Sequence, residues 1–91
     1  MPMFNYHEYK VFLACGKTDM RKSINGLCEI VQHNFMLDPT EKVIFAFCNR
    51  QRNRVKLLVW EENGLWVHFK ILEKGSITWP EPSDEEATMN V

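Results

Sequence analysis

The sequence predicts an α+β fold: a mainly antiparallel sheet of about five strands with one amphipathic helix packed on one face. Three observations point to it. Short apolar or alternating runs bounded by turn residues recur along the 91-residue chain, a single stretch carries apolar residues at helical spacing, and Glu61-Glu62-Asn63-Gly64 joins two of the runs as a hairpin would.

The first element is Tyr9 to Cys15, "YKVFLAC", an apolar and aromatic run that ends at Gly16 and reads as a buried strand. From Asp19 onward, Met20, Ile24, Leu27, Cys28, Val31 and Phe35 fall on one helical stripe, with Arg21, Lys22, Asn25, Glu29 and Gln32 on the outer side. Thr18 or Asp19 is placed to cap this helix, and Asp38-Pro39 ends it. "VIFAFC" (Val43 to Cys48) is apolar throughout, as an interior strand covered on both faces would be, and Arg54 to Trp60 and Leu65 to Leu72 form the hairpin. "SITW" (Ser76 to Trp79) supplies the fifth strand. Residues 1–80 therefore make a single domain, and 81–91, polar and acidic, are expected to form a flexible tail.

The hairpin register decides which residues share a face. A two-residue Asn63-Gly64 turn would mix His68 and Lys70 with Val55, Leu57 and Val59, so a three-residue loop with Gly64 in a left-handed bulge is expected instead. It sets Val59, Leu57 and Val55 opposite Val67, Phe69 and Ile71 under the helix. The outer face then carries Trp60 opposite Trp66, Leu58 opposite His68 and Lys56 opposite Lys70, with Arg54 at its end. The preceding loop adds Arg50 and Arg52. Paired indoles beside a basic cluster are what a nucleic-acid stacking platform needs, although a packed or subunit-covered face would carry the same residues.

Composition narrows the function classes. A formal net charge of -1 hides an uneven distribution, since residues 1–80 hold 11 basic against 8 acidic groups and the remaining acids cluster in 81–86. The mildly basic body permits a polyanionic partner without demanding one. Cys15, Cys28 and Cys48 fit neither a disulfide framework nor a metal pair, and with no secretory leader or membrane span in the sequence a cytoplasmic protein is expected.

No catalytic set emerges. Cys15 precedes the helix, where a thiolate is favoured, yet no motif ties it to His7, His33 or His68, so a buried structural thiol is the default. Histidines and cysteines lack ligand spacing, which leaves no metal or other cofactor to expect. "CGKTDMRK" contains Gly-Lys-Thr, but Val11 stands where a phosphate loop has its first glycine. Lys17, Arg21 and Lys22 could still meet a phosphate at the start of the helix.

"ACGKTDMRKSINGL", "FAFCNRQRNRVKLLVW", "NGLWVHFKILEKG" and "TWP" follow one another in an order that resembles the small accessory proteins, TnpB-like, of IS-sixty-six-type bacterial insertion sequences. The resemblance runs from about Tyr9 to Pro80 and is most specific at Asp19-Met20-Arg21-Lys22 with Gly26-Leu27. It implies a protein encoded beside a larger transposase that holds the strand-transfer carboxylates, and hence a helper rather than an enzyme. Ile71 stands where members commonly have a basic residue, and members usually continue with a helical segment where this chain has its acidic stretch, so a shortened copy is expected.

The resulting expectation is a non-catalytic accessory protein of transposition that binds DNA through Arg21, Lys22, Arg50, Arg52, Arg54, Lys56 and Lys70, with Trp60 and Trp66 as stacking or interface residues. A protein-interaction adaptor for the transposase is the alternative reading, and a small hydrolase or nuclease a distant one.

Overall fold

A computed structural model describes residues 6–82 and 88–90. After a short 3-10 turn at Tyr6–Glu8 come strand β1 (Lys10–Ala14), helix α1 (Ile24–Glu29) running into a π-helical turn (Ile30–Asn34), and strands β2 (Val43–Cys48), β3 (Arg54–Glu61) and β4 (Gly64–Ile71). A three-residue strand, β5 (Thr88–Asn90), completes the order β4-β3-β2-β1-β5.

The sheet is mostly antiparallel, with one parallel pair. The helical segment connects β1 to β2, which run parallel from Lys10 opposite Val43 to Leu13 opposite Ala46. Parallel neighbours need such a crossover, since a tight turn reverses the chain. β2, β3 and β4 then form an antiparallel meander, and β5 lies antiparallel to β1.

Four of the five expected strands form, and the fifth does not. Ser76 to Trp79 has no strand pairing, because Gly75 turns the chain at φ 76° and Pro80 and Pro82 have no amide to give a ladder. The segment instead crosses the strand ends and is fixed by separate bonds. Ile77 N donates to Arg52 O at 2.8 Å, Trp79 Nε1 to Ala14 O at 2.8 Å, and Gly16 N to Pro80 O at 2.8 Å. The expected tail, 81–91, lies partly outside the described residues. Of the described part, Glu81 pairs with Arg52 and the backbone of Thr88–Asn90 pairs with β1.

The helix starts later than its apolar stripe suggests. The Asp19 carboxylate accepts from Arg21 N at 2.9 Å and its carbonyl from Lys22 N at 3.2 Å, closing a turn that uses up the expected capping group. Ser23, with extended backbone, precedes the first helical residue, so Arg21 and Lys22 lie on the approach to the helix. Further on, Phe35 N donates to Ile30 O at 3.1 Å, the wider π spacing.

Leu27 and Val31 nonetheless point inward as the stripe requires, both fully buried against Ala14, Phe45, Phe47 and Leu58. Each such large side chain contributes about 1.5–3 kcal/mol by leaving water. The opposite sheet face is apolar at its centre too, with Ile44, Ala46, Cys48 and Val59 buried.

That second buried face explains a correction to the hairpin. Glu61 pairs with Gly64, Leu58 with Val67 and Lys56 with Phe69, so the turn is the two residues Glu62-Asn63. Glu62 takes the left-handed position at φ 55°, and Gly64 is an ordinary strand residue rather than a bulge. Lys56, Leu58 and Trp60 consequently share the helix-side face with Leu65, Val67, Phe69 and Ile71. Val55, Leu57 and Val59 share the other with Trp66, His68 and Lys70. With Leu58 and Val59 both at 0% exposure, the centre of β3 gives no polar side to orient the strand.

Candidate nucleic-acid interface

The parallel strands β1 and β2 end side by side, and the chain leaving each one lines a common groove. Thr18 N donates to Cys48 O at 2.8 Å, which carries the connection after β1 across the end of β2. Lys17, Thr18, Asp19, Met20 and Arg21 form one wall of a groove of about 410 Å³, and Asn49, Arg50, Gln51 and Arg54 form the other. Carboxyl ends of parallel strands are where open α/β sheets take their ligands, because the connecting loops diverge there.

The second wall is organised by Asn49, only 7% exposed. Its Oδ1 accepts from Asn53 N at 3.0 Å and Arg54 N at 2.9 Å, while its Nδ2 donates to Asn53 Oδ1 at 2.7 Å and Gln51 Oε1 at 3.2 Å. One buried amide thus supplies partners that the loop backbone cannot find in the sheet. Arg50 and Arg54 stand on either side of this knot.

Arg52 has a different task. At φ 61° it turns inward, its side chain 18% exposed, and donates to Gly16 O at 2.8 Å and Asn49 O at 3.4 Å while pairing with Glu81. The guanidinium cross-links the two walls, and its charge is already matched.

Across the groove, Arg21 is 91% exposed and grips Asp19 through two parallel bonds, Nε to Oδ1 at 3.1 Å and a terminal nitrogen to Oδ2 at 2.8 Å. These bonds hold the Asp19 carboxyl down to about 2. The groove therefore carries four basic side chains, Lys17, Arg21, Arg50 and Arg54, against one carboxylate. An exposed fork held by a single aspartate keeps directions in which to meet a phosphate.

The remaining expected residues are scattered by the register. Lys56 reaches over the helix-side face, its Nζ 5.2 Å from the centre of the Phe69 ring and donating to Lys22 O at 2.9 Å. That contact places Lys22 and Lys56 together on the flank of the domain. Lys70 lies on the other face opposite Val55, so the expected Lys56–Lys70 pair does not form. Trp60 and Trp66 are likewise on opposite faces and make no paired platform. Trp66 stacks with His68 instead, ring centres 6.1 Å apart at 23°, and its Nε1 donates to Glu61 Oε1 at 3.3 Å. Of the groove's basic side chains, Lys17 stands outside the expected binding set although its place before the helix marks it as able to meet a phosphate, and Asn49, which organises the second wall, is absent from that set altogether. The "CNRQRN" loop signalled the position of Asn49, but nothing in spacing distinguishes its inward amide from the side chains around it.

Among the described residues, no group of His, Cys, Asp and Glu is arranged to hold a metal ion, and no helix is long and apolar enough to cross a membrane. Burial pushes the Cys28 thiol up, away from thiolate chemistry.

A family described as IS66 Orf2 like protein matches residues 9–91. Two proteins of Sinorhizobium fredii, both described as uncharacterized, are similar to the chain. The first, y4jC, is 28% identical over 75 residues, which are 82% of this chain and 64% of that protein. The second, y4hO, is 31% identical over 71 residues, 78% of this chain and 62% of that protein. The chain spans a little under two thirds of the length of these curated relatives. No solved structure matches it.

Proposed function

The chain belongs to the IS66 Orf2-like family of insertion-sequence proteins, and from that premise we propose that it is a non-catalytic accessory protein of transposition that holds DNA backbone in the groove at the ends of β1 and β2. The observation that carries this reading is the convergence of Lys17, Arg21, Arg50 and Arg54 from two separate loops onto one open cleft. Four cations facing one bound carboxylate suit a polyanion and offer little to a neutral small molecule. Lys22 and Lys56, joined on the flank, extend the positive surface beyond the cleft. No base edge is needed for such binding, since phosphate contacts supply affinity and orientation while leaving sequence choice to other components.

Fluorescence-anisotropy titration of duplex DNA across a series of salt concentrations tests the proposal. Four phosphate contacts predict a log–log salt slope of about -3.6, from about 0.9 per contact on duplex DNA. An Arg50→Ala, Arg54→Ala variant that retains its circular dichroism should lose about half of that slope. Binding with no salt dependence, or a folded double variant that binds as the wild type does, would overturn the assignment and direct attention to a protein partner such as the transposase.

A further inference from the structure

We propose that the outer edge of β4 pairs with β4 of a second copy of this chain, antiparallel about a two-fold axis, so that the two sheets continue into one. Three observations converge on that edge. β4 is the terminal strand of the sheet, eight residues long, and among the described residues its backbone is laddered only on the β3 side. A strand of that length presents a run of about 27 Å at about 3.4 Å per residue, ample for a stable ladder.

The edge is only lightly guarded: it has no proline, Lys70 is its one charged side chain, and its other large exposed side chains are apolar, with Phe69 at 51%, Ile71 at 54% and Trp66 at 42%. Phe69 and Ile71 are on the helix-side face, where the six-residue α1 is too short to cover the far end of β4. Ile24, at the start of that helix, is 38% exposed as well.

The charges are arranged to match themselves. Glu61 and Glu62 stand at the hairpin end of β4, whereas Lys70 and Lys74, with Arg54 opposite Ile71, outweigh Glu73 at the other end. Antiparallel pairing of two copies brings each acidic end against the basic end of the other, and parallel pairing would set like against like. The occupant favoured by this pattern is thus a second copy in the antiparallel sense.

Light scattering over a concentration series tests the proposal, together with amide hydrogen exchange on the wild-type protein. The expected mass rises from the 10.8 kDa of one chain towards twice that value, and exchange at β4 slows as concentration increases. A Phe69→Glu, Ile71→Glu variant replaces two half-exposed side chains and sets negative charge against Glu61 and Glu62 of the second copy. It should raise the dissociation constant at least tenfold while keeping the wild-type circular dichroism. A wild-type protein that stays at the single-chain mass at its highest attainable concentration overturns the proposal. A folded variant that associates unchanged overturns it as well, by placing the contact elsewhere. Should the variant fail to fold, wild-type β4 amides whose exchange is independent of concentration decide against it.

Discussion

Replacing Asn49 by alanine removes no charge from the groove, yet it should damage both the fold and the binding. The side chain accepts from the amides of Asn53 and Arg54 at 3.0 and 2.9 Å and donates to Asn53 Oδ1 at 2.7 Å. Alanine leaves two backbone donors in a half-buried loop without their acceptor. A buried donor left unsatisfied costs about 1–3 kcal/mol, and partial access of water to this loop favours the lower part of that range, so the loss should be about 2–4 kcal/mol. A domain of 91 residues has only about 5–14 kcal/mol in all, at about 0.05–0.15 kcal/mol per residue. The midpoint of thermal unfolding should fall by about 8–32 °C, since 1 kcal/mol moves a domain of this size by about 4–8 °C. Urea unfolding followed by tryptophan fluorescence measures the change. Gln51→Ala is the control, because it truncates an exposed side chain that holds a single long bond at 3.2 Å and no backbone amide, and it should cost under about 0.5 kcal/mol. The reasoning fails if Asn49→Ala is as mild as that control, which would mean that water satisfies the loop amides unaided. At temperatures where Asn49→Ala remains folded, weaker DNA binding is expected with the salt slope largely retained.

Gly16→Ala should destabilise the fold by about 1–2 kcal/mol, the usual cost of a side chain in left-handed backbone. The glycine stands at φ 79°, and an added Cβ would come within 3.2 Å of Pro82 Cδ. A denaturation midpoint equal to that of the wild type would show that the turn relaxes freely. Arg52→Ala should lower stability by about 1.5–3 kcal/mol through loss of its charged hydrogen bonds to the two walls. Its effect on DNA affinity, measured where the variant is folded, should be smaller than that of Arg50→Ala; the reverse order would return Arg52 to the contact surface. The Asp19 carboxyl, held at about 2 by Arg21, favours the folded state above its ordinary value of 3.8 and ceases to do so as pH falls through about 2. In Arg21→Gln, carboxyl-carbon NMR should find the Asp19 titration raised towards 3.8, the backbone bond from residue 21 remaining, and the pH dependence of stability between 3.8 and about 2 should be reduced; an unchanged titration would remove the Arg21 side chain as the cause.

Much of the architecture could be read from local patterns. Four strands, the helical connection and the inward positions of Leu27 and Val31 follow from apolar spacing, because each reports a face that must leave water. The start of the helix could not be read that way, since Asp19 offers its carboxylate equally to a helix terminus and to the turn it actually closes. The hairpin register was hidden by a different cause. Alternation orients a strand only when one side is wet, and β3 is buried on both sides at Leu58 and Val59. From that one ambiguity came the misplaced tryptophan pair and the expected facing of Lys56 with Lys70. The groove was half legible, because the run of arginines marks the loop while the inward turn of Arg52 and the buried amide of Asn49 depend on contacts with the distant Gly16 and on loop closure.

The two margins of the sheet are unequal. β4 has eight residues and, among the described residues, no ladder on its outer side, whereas β1 is flanked by the three residues of β5. A sheet with two open margins can add copies head to tail without limit and grow into a filament. Association through β4 alone consumes the same margin on both partners and ends at two. Under the proposed β4 pairing, Thr88–Asn90 occupy the ladder of Phe12 to Ala14 and so keep that stretch of β1 from serving as a second long growth edge.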